Sequence, residues 1–319
     1  MQYSKLLRIA IAHRFITPSV PFAERLCIKM KYKSRQIWFA RAALLMVAIL
    51  WGSSLLVAKI TMENISPSMI VAFRFTIAFV LLSLVFYRKI FEITKQSLIS
   101  GAIIGAFLFG AYWIQNIGVT LAMPGKSAFL SSIYCVFVPF VSYLFTREKP
   151  KTRNLLAATV CIAGISFSVI TDGFSIGTGD VFALLSGVFF SLHIASIGKF
   201  AEGKDPIIIT ILQFGFCALY SWIATLLTKD YTLHFNSQMV LGVLYLSVFC
   251  TTIALLLQNV GQKYVQASSA SILMSTESIF GALLSVFLYG ETITLKMGVG
   301  FMLIFISVLI SEAKKDSTD

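Results

Sequence analysis

Apolar residues in this chain come in blocks of about twenty, separated by short polar punctuation. A helix rises about 1.5 Å per residue and so needs about 20 apolar residues to cross the hydrocarbon core of a bilayer. Blocks of that length occupy residues 37–58, 67–87, 97–119, 125–145, 153–171, 180–199, 206–227, 239–261, 268–290 and 294–311. The pattern predicts an all-α integral membrane protein with ten transmembrane helices, joined by linkers too short to fold as soluble domains.

Composition agrees with lipid as the solvent. Hydrophobic residues make up 57% of the 319 positions and charged residues 13%, with 28 Phe and a mean hydropathy of +0.85. A soluble domain has no way to cover that much apolar surface, whereas a bilayer accepts it. The formal charge of +12 raises nucleic acid as a partner, but the basic residues lie in linkers and tails rather than on one polar face, which argues against it. Their distribution instead sets a direction, because linkers rich in Lys and Arg stay cytoplasmic. With the N-terminus inside, the inner side holds the basic tail up to Arg41, then Arg88, Lys89, Lys95, Arg147, Lys149, Lys151, Arg153, Lys199, Lys204, Lys263, Lys314 and Lys315. The outer side holds only Lys59, Lys126, Lys229 and Lys296. Both termini are therefore expected in the cytoplasm and the chain in the cell membrane. Residues 1–36 are basic and broken by Pro18 and Pro21, unlike a secretory leader. They read either as an interfacial or disordered tail or as a start placed upstream of Met30. Residues 312–319 read as a cytoplasmic tail.

The two halves of the chain echo one another. Gln115-Asn116-Ile117-Gly118 recurs as Gln258-Asn259-Val260-Gly261, and Glu148 recurs as Glu291, both 143 positions on; the same register sets Tyr134 against Glu277. Earlier in each half, Pro67 and Arg74-Phe75 match Pro206 and Gln213-Phe214 at a spacing of 139. Five crossings leave a chain on the far side of the membrane, so residues 37–171 and 180–311 are expected to be two inverted five-helix repeats, an architecture frequent among transporters.

At these residues the chain resembles the EamA-type members of the drug/metabolite transporter superfamily. Trp51-Gly52-Ser53-Ser54, Pro67 followed by Arg74, and the stretch from Ala267 to Tyr289-Gly290-Glu291-Thr292 carry the resemblance, which covers about residues 40–312. It implies ten helices around a central cavity, with helices five and ten peripheral. It also implies movement of a small metabolite, an amino acid or similar, by alternating access, with export favoured.

Polar groups inside membrane spans are costly, so each needs a reason. Glu277 is a mid-span carboxyl able to load and release a proton or bind a cargo amine, or to tie two helices together. Arg74 is a permanent charge that ties helices or clamps a cargo carboxylate. His193 is a satisfied interior residue or a proton relay. Trp51 and Tyr134 lie near mid-span and are candidate cavity walls, ahead of Trp113 and Trp222, with Tyr112 a further flat surface. Gln115, Asn116, Gln258 and Asn259 end helices that run in opposite senses. They are therefore candidate gates at opposite mouths, or plain helix terminators. Gly52-Ser53-Ser54 suggests a bend in the first helix. Cys27, Cys135, Cys161, Cys217 and Cys250 are scattered; their spacing gives no disulfide framework and no metal motif, so each reads as a small apolar side chain.

No metal and no cofactor is expected. The partners expected are the bilayer and a small-molecule cargo, with a homodimer left open. HExxH, GxSxG and P-loop motifs are absent, which argues against an enzyme. A channel and a non-transporting structural or sensory membrane protein stay as alternatives to the transporter.

Overall fold

The computed structural model describes residues 22–122, 124–147, 149–169, 177–289 and 295–312. The residues up to 21, together with Glu148, Gly290, Glu291 and Thr292 of the sequence motifs, lie outside the described residues. The chain divides at Phe39 and Ala40 into two compact units. The first contributes the leading turns of helix α1; everything below concerns the second.

The described residues are helical apart from short connections and one antiparallel bridge between Ile65 and Leu233. In chain order the helices are α1 (Phe22–Thr61), α2 (Pro67–Val85), α3 (Tyr87–Ile90), α4 (Lys95–Leu121), α5 (Pro124–Ser131), α6 (Tyr134–Thr146), α7 (Thr152–Val169), α8 (Thr178–Phe200), α9 (Pro206–Thr228) and α10 (Ser237–Tyr245). A π-helical stretch, Leu246–Ile253, leads into α11 (Ala254–Gln262), followed by α12 (Ala267–Met274), α13 (Glu277–Tyr289) and α14 (Leu295–Glu312). Local chemistry explains several boundaries. Ser66 and Asp205 each cap a helix that begins with a proline, at Pro67 and Pro206, where a missing N–H costs nothing.

Eight of the described helical segments are long and apolar enough to cross a membrane, and two shorter apolar helices, Thr152–Phe167 and Gly298–Ser311, accompany them. Their outward faces carry Leu84, Val85, Leu227, Phe249 and Leu309 in the open, as a lipid-facing surface requires. The interior is unlike a soluble core: many serines, along with Arg74, His193, Gln213 and Gln258, are fully buried. Small residues bring the backbones together. An added Cβ at Gly101 would sit 2.3 Å from Leu212 Cβ, and one at Gly105 would sit 2.9 Å from the Gln213 carbonyl. Gly52 does the same between α1 and α13, where a Cβ would come 2.6 Å from Phe280 Cβ. Helix α1 runs unbroken through Gly52. Gly52 is a crossing point, because the missing side chain is used for contact.

Two spans do break. Residues 126–146 are split between α5 and α6 at Ser132-Ile133, and residues 267–284 between α12 and α13 at Ser275-Thr276. The backbone hydrogen bonds at the two breaks match, save one more at the second, from Phe280 N–H to Thr276 O. Ser132 N–H donates to Ala128 O and Ile133 N–H to Leu130 O; Ser275 N–H donates to Ser271 O and Thr276 N–H to Leu273 O. Hydroxyl groups reinforce the same carbonyls, Ser132 on Ala128 O at 2.8 Å and Thr276 on Leu273 O at 2.8 Å.

The two ends of the molecule differ. At one end the linkers are laced together. Ser66 N–H donates to Thr232 O and His234 N–H to Asn64 O, Lys59 Nζ donates to Ala122 O at 2.6 Å, and Lys126 pairs with the buried Asp180 at 2.6 Å. At the other end a vestibule of about 480 Å³ opens between residues 139–154, 195–206 and 259–268. Beside this end Lys89 bridges Glu92 at 2.8 Å and Asp205 at 3.0 Å. These hydrogen bonds, the one with Glu92 foremost, hold the Lys89 ammonium above its ordinary range.

Candidate functional site

The second cavity is small, about 20 Å³, room for about one water. It lies where the two broken spans meet, and Trp51, Ser54, Tyr112, Gln115, Tyr134, Phe190 and Glu277 are among its walls. Tyr134 and Glu277, which open the second halves of their broken spans, touch across it. Tyr134 Oη donates to Glu277 Oε1 at 3.1 Å and Ser132 Oγ donates to the same oxygen at 3.3 Å. The carboxyl group sits in the first turn of α13, the end of a helix that favours negative charge. Both of these hydrogen bonds fall on Oε1.

Aromatic rings form the rest of the wall. Phe190 is the hub, with ring centroids 6.3 Å from Trp51, 5.3 Å from Tyr112 and 6.2 Å from Tyr134. A carboxyl group bounded by ring faces is a setting that suits a cation or a proton. Phe190 went unread in the sequence, although the 139 spacing that aligns Pro67 with Pro206 also aligns Trp51 with Phe190.

Arg74 does not line the cavity; it stands one layer behind. Its Nε donates to Thr251 Oγ1. Its Nη2 donates to Ser54 Oγ at 3.3 Å and to the Cys250 carbonyl at 3.2 Å. The guanidinium also stacks over the Tyr112 ring, 4.5 Å from its centroid. The π-helical stretch explains the socket: its wide turns bond i to i+5 and leave carbonyls askew, so Cys250 O can accept from Arg74 and, at 3.0 Å, from Trp51 Nε1. Among the described residues no carboxylate is within ion-pair distance of Arg74. Three cavity walls, Trp51, Ser54 and Tyr112, thus hang on one buried cation and the carbonyl it shares.

The other candidates lie apart. His193 is fully buried and meets Gln213, Nε2 to Oε1 at 3.1 Å. This pair occupies the positions of Ser54 and Arg74 at the 139 spacing, so one half of the chain holds a cation where the other holds a neutral amide. Gln115 Nε2 donates to Ser131 Oγ at 3.2 Å and lines the central cavity. The sequence placed it at a mouth; α4 continues to Leu121, which leaves Gln115 inside. Asn116 is buried behind it. Gln258 Nε2 donates to Gln262 Oε1 at 3.0 Å, and Gln262 Nε2 donates to Ile194 O at 2.9 Å. Asn259 lines the vestibule. Trp113 stacks on Phe109 and Trp222 donates to Thr76, both away from the cavity. Among the described residues no group of three His, Cys, Asp or Glu side chains is arranged to hold a metal ion.

Comparison with known proteins adds the family. The model of the EamA-like transporter family matches twice, over residues 38–170 and 177–312. An uncharacterized transporter of Archaeoglobus fulgidus is 29% identical over 273 residues, covering 85% of each chain. An uncharacterized inner membrane transporter, YicL, of Salmonella typhimurium is 26% identical, covering 83% of this chain and 92% of its own. A solved crystal structure superposes with a TM-score of 0.68 at 18% identity, over 86% of this chain and 96% of that one, a likeness of fold alone.

Proposed function

Since the chain belongs to the EamA-like transporter family, we propose that it carries a small metabolite with a cationic group, an amino acid or similar amine, across the cell membrane by alternating access. The observation that supports this most is the meeting of two broken spans at Glu277, in a cavity whose other walls are aromatic. Broken helices near mid-membrane are where secondary transporters bind cargo, because freed backbone groups and helix ends face the site. Ten spans in two inverted repeats, the first at residues 37–171 and the second at 180–311, account for the double family match and for the similar hydrogen bonding at the two breaks.

In this reading the vestibule opens to the cytoplasm, since Lys149, Lys151, Lys204 and Lys263 line it, and the laced end faces out. Both termini are cytoplasmic. Cargo enters from the vestibule, displaces the contact between Tyr134 and Glu277, and leaves outward once the lacing at Lys126 and Asp180 opens. Glu277 takes up a proton when cargo departs, so proton entry and cargo exit share one group. Gln115 is a hinge-side wall of the site, and Asn259 and Gln258 belong to the inner gate. Arg74 positions the walls, and His193 with Gln213 is its neutral counterpart. A closed outer end and a cavity the size of one water favour this over a channel with a continuous pore.

The test is uptake and counterflow of a panel of radiolabelled amino acids and amines in reconstituted vesicles, with and without a pH gradient. Saturable flux with counterflow is expected. Flux linear in concentration without counterflow would mean a channel. Single cysteines at Glu92, Ile176 and Leu233 in a background without native Cys check orientation: an impermeant thiol reagent should label the last two from outside and spare the first.

A further inference from the structure

Two thiols that sequence spacing left unrelated are in contact. Cys135 Sγ lies 3.3 Å from Cys161 Sγ, both fully buried and 26 positions apart in sequence. The closeness has local causes. The tightened turn at Ser132-Ile133 rotates the start of α6, so that Tyr134 points to the cavity while Cys135, its neighbour, points to α7. Cys161 is met there mid-helix, and its thiol also reaches Ser275 Oγ at 3.4 Å, the residue at the break of the other discontinuous span. The pair therefore sits beneath both breaks at once. Helix α7 is itself fixed against α14 by the close crossing at Gly164, where a Cβ would come 2.7 Å from the Gly300 carbonyl.

We infer that Cys135 and Cys161 are a redox lock, a dithiol that closes to a disulfide under a membrane-permeant two-electron oxidant and then staples the α5–α6 break to α7. The sulfurs need approach by only about 1.3 Å to reach bonding distance. Diamide, a neutral azo compound, serves as oxidant. One thiol adds across its N=N bond, and the second attacks the sulfur so bound, forming the S–S bond as the S–N bond breaks and the hydrazine leaves. Two S–H bonds are thus lost, and the hydrazine product carries away both hydrogens and both electrons. Among the described cysteine side chains, Cys217 and Cys250 touch no other thiol, so Cys135 and Cys161 are the one pair placed to close. Once formed, the bond joins a helix whose break carries Tyr134 to a helix packed on α14, and the break loses the freedom to re-form on the other side. The consequence for transport rests on the alternating-access reading; the chemistry does not.

The full-length protein in detergent is oxidised with diamide, digested without reduction and mapped by mass spectrometry, and hydrogen exchange is followed across residues 126–146. A linked pair of peptides containing residues 135 and 161, lighter by two hydrogens and released by dithiothreitol, is expected. Exchange at the break should become roughly ten-fold slower or more in the oxidised protein. Cys135→Ser, with Cys161→Ala as the second variant should the first not fold, is expected to show neither change. No linked peptide, or a link between two chains instead of within one, overturns the pairing. A link with unchanged exchange at the break overturns the lock. Cargo enters neither readout, so a failure of the transport reading would leave both results standing.

Discussion

The break between α5 and α6 and the break between α12 and α13 share a backbone and differ in one residue that matters. Donor for donor, the hydrogen bonds at Ser132-Ile133 repeat at Ser275-Thr276. Yet the residue that opens the following helix is Tyr134 in the first and Glu277 in the second. The geometry is thus common to both halves of the chain and the chemistry belongs to one. A site that must exchange a charge needs only one ionisable group, and a second carboxyl 3 Å away would repel it; Tyr134 donates to Glu277 instead.

The largest effect is expected from erasing that difference. Glu277→Gln keeps shape and hydrogen bonding but cannot ionise, so transport should lose its dependence on pH while the protein still inserts. Tyr134→Phe removes one hydrogen bond to the carboxyl and should shift the pH profile without flattening it, by an amount matching roughly 1–2 kcal/mol. Flux measured from pH 5 to 9 in vesicles separates the two. A Glu277→Gln protein with the parent's profile would sink proton coupling through this residue, and one that fails to accumulate would make Glu277 a packing residue.

A second contrast pairs Arg74 with Gln213. Arg74→Met strips a buried cation from Thr251, Ser54, the Cys250 carbonyl and the Tyr112 face, and should destabilise by about 3 kcal/mol. Gln213→Met breaks one bond to His193, leaves His193 with that nitrogen unpaired, and should cost about 1–2 kcal/mol. Unfolding in mixed micelles measures both. Equal losses would mean that the two positions are equivalent and that the cation holds nothing special.

Much of this was legible beforehand. The all-helical fold and its eight long apolar helices follow from apolar run length, and the repeat spacings from paired words such as Gln-Asn-x-Gly; the caps at Ser66 and Asp205 went unread. The register that aligned Tyr134 with Glu277 on paper proved to be a contact in space. The breaks themselves were not visible, because Ser-Ile and Ser-Thr carry no proline or glycine and a serine hydroxyl can either sit quietly on a helix or replace one of its bonds. The π-helical stretch has no marker residue either, and with it the reason Arg74 tolerates burial was hidden. Cys135 and Cys161 looked isolated since nothing in the residues between them tells which faces of α6 and α7 meet.

The smallest effects compare two glycines of one helix. Gly179 and Gly198 stand near opposite ends of α8, the first at the laced end and the second in the vestibule wall. A Cβ at Gly179 would lie 2.8 Å from Ala122 Cβ and 2.9 Å from the Gly118 carbonyl, whereas one at Gly198 meets nothing nearer than Ala267 Cβ at 3.7 Å. Gly179→Ala must therefore push α4 and α8 apart, at a cost of about 1–2 kcal/mol, and because it does so only where the end is closed, it should favour the state in which that end opens. Gly198→Ala adds a methyl in open space and removes backbone freedom from the unfolded chain, so it should stabilise by up to about 1 kcal/mol. Mixed-micelle unfolding reads the two signs. Impermeant thiol labelling of a cysteine at Ser127, buried beside the lacing, then tests the opening, with faster labelling expected in Gly179→Ala and no change in Gly198→Ala. If both variants destabilise alike, the two ends of α8 are equally packed and the asymmetry between a closed end and an open one is wrong.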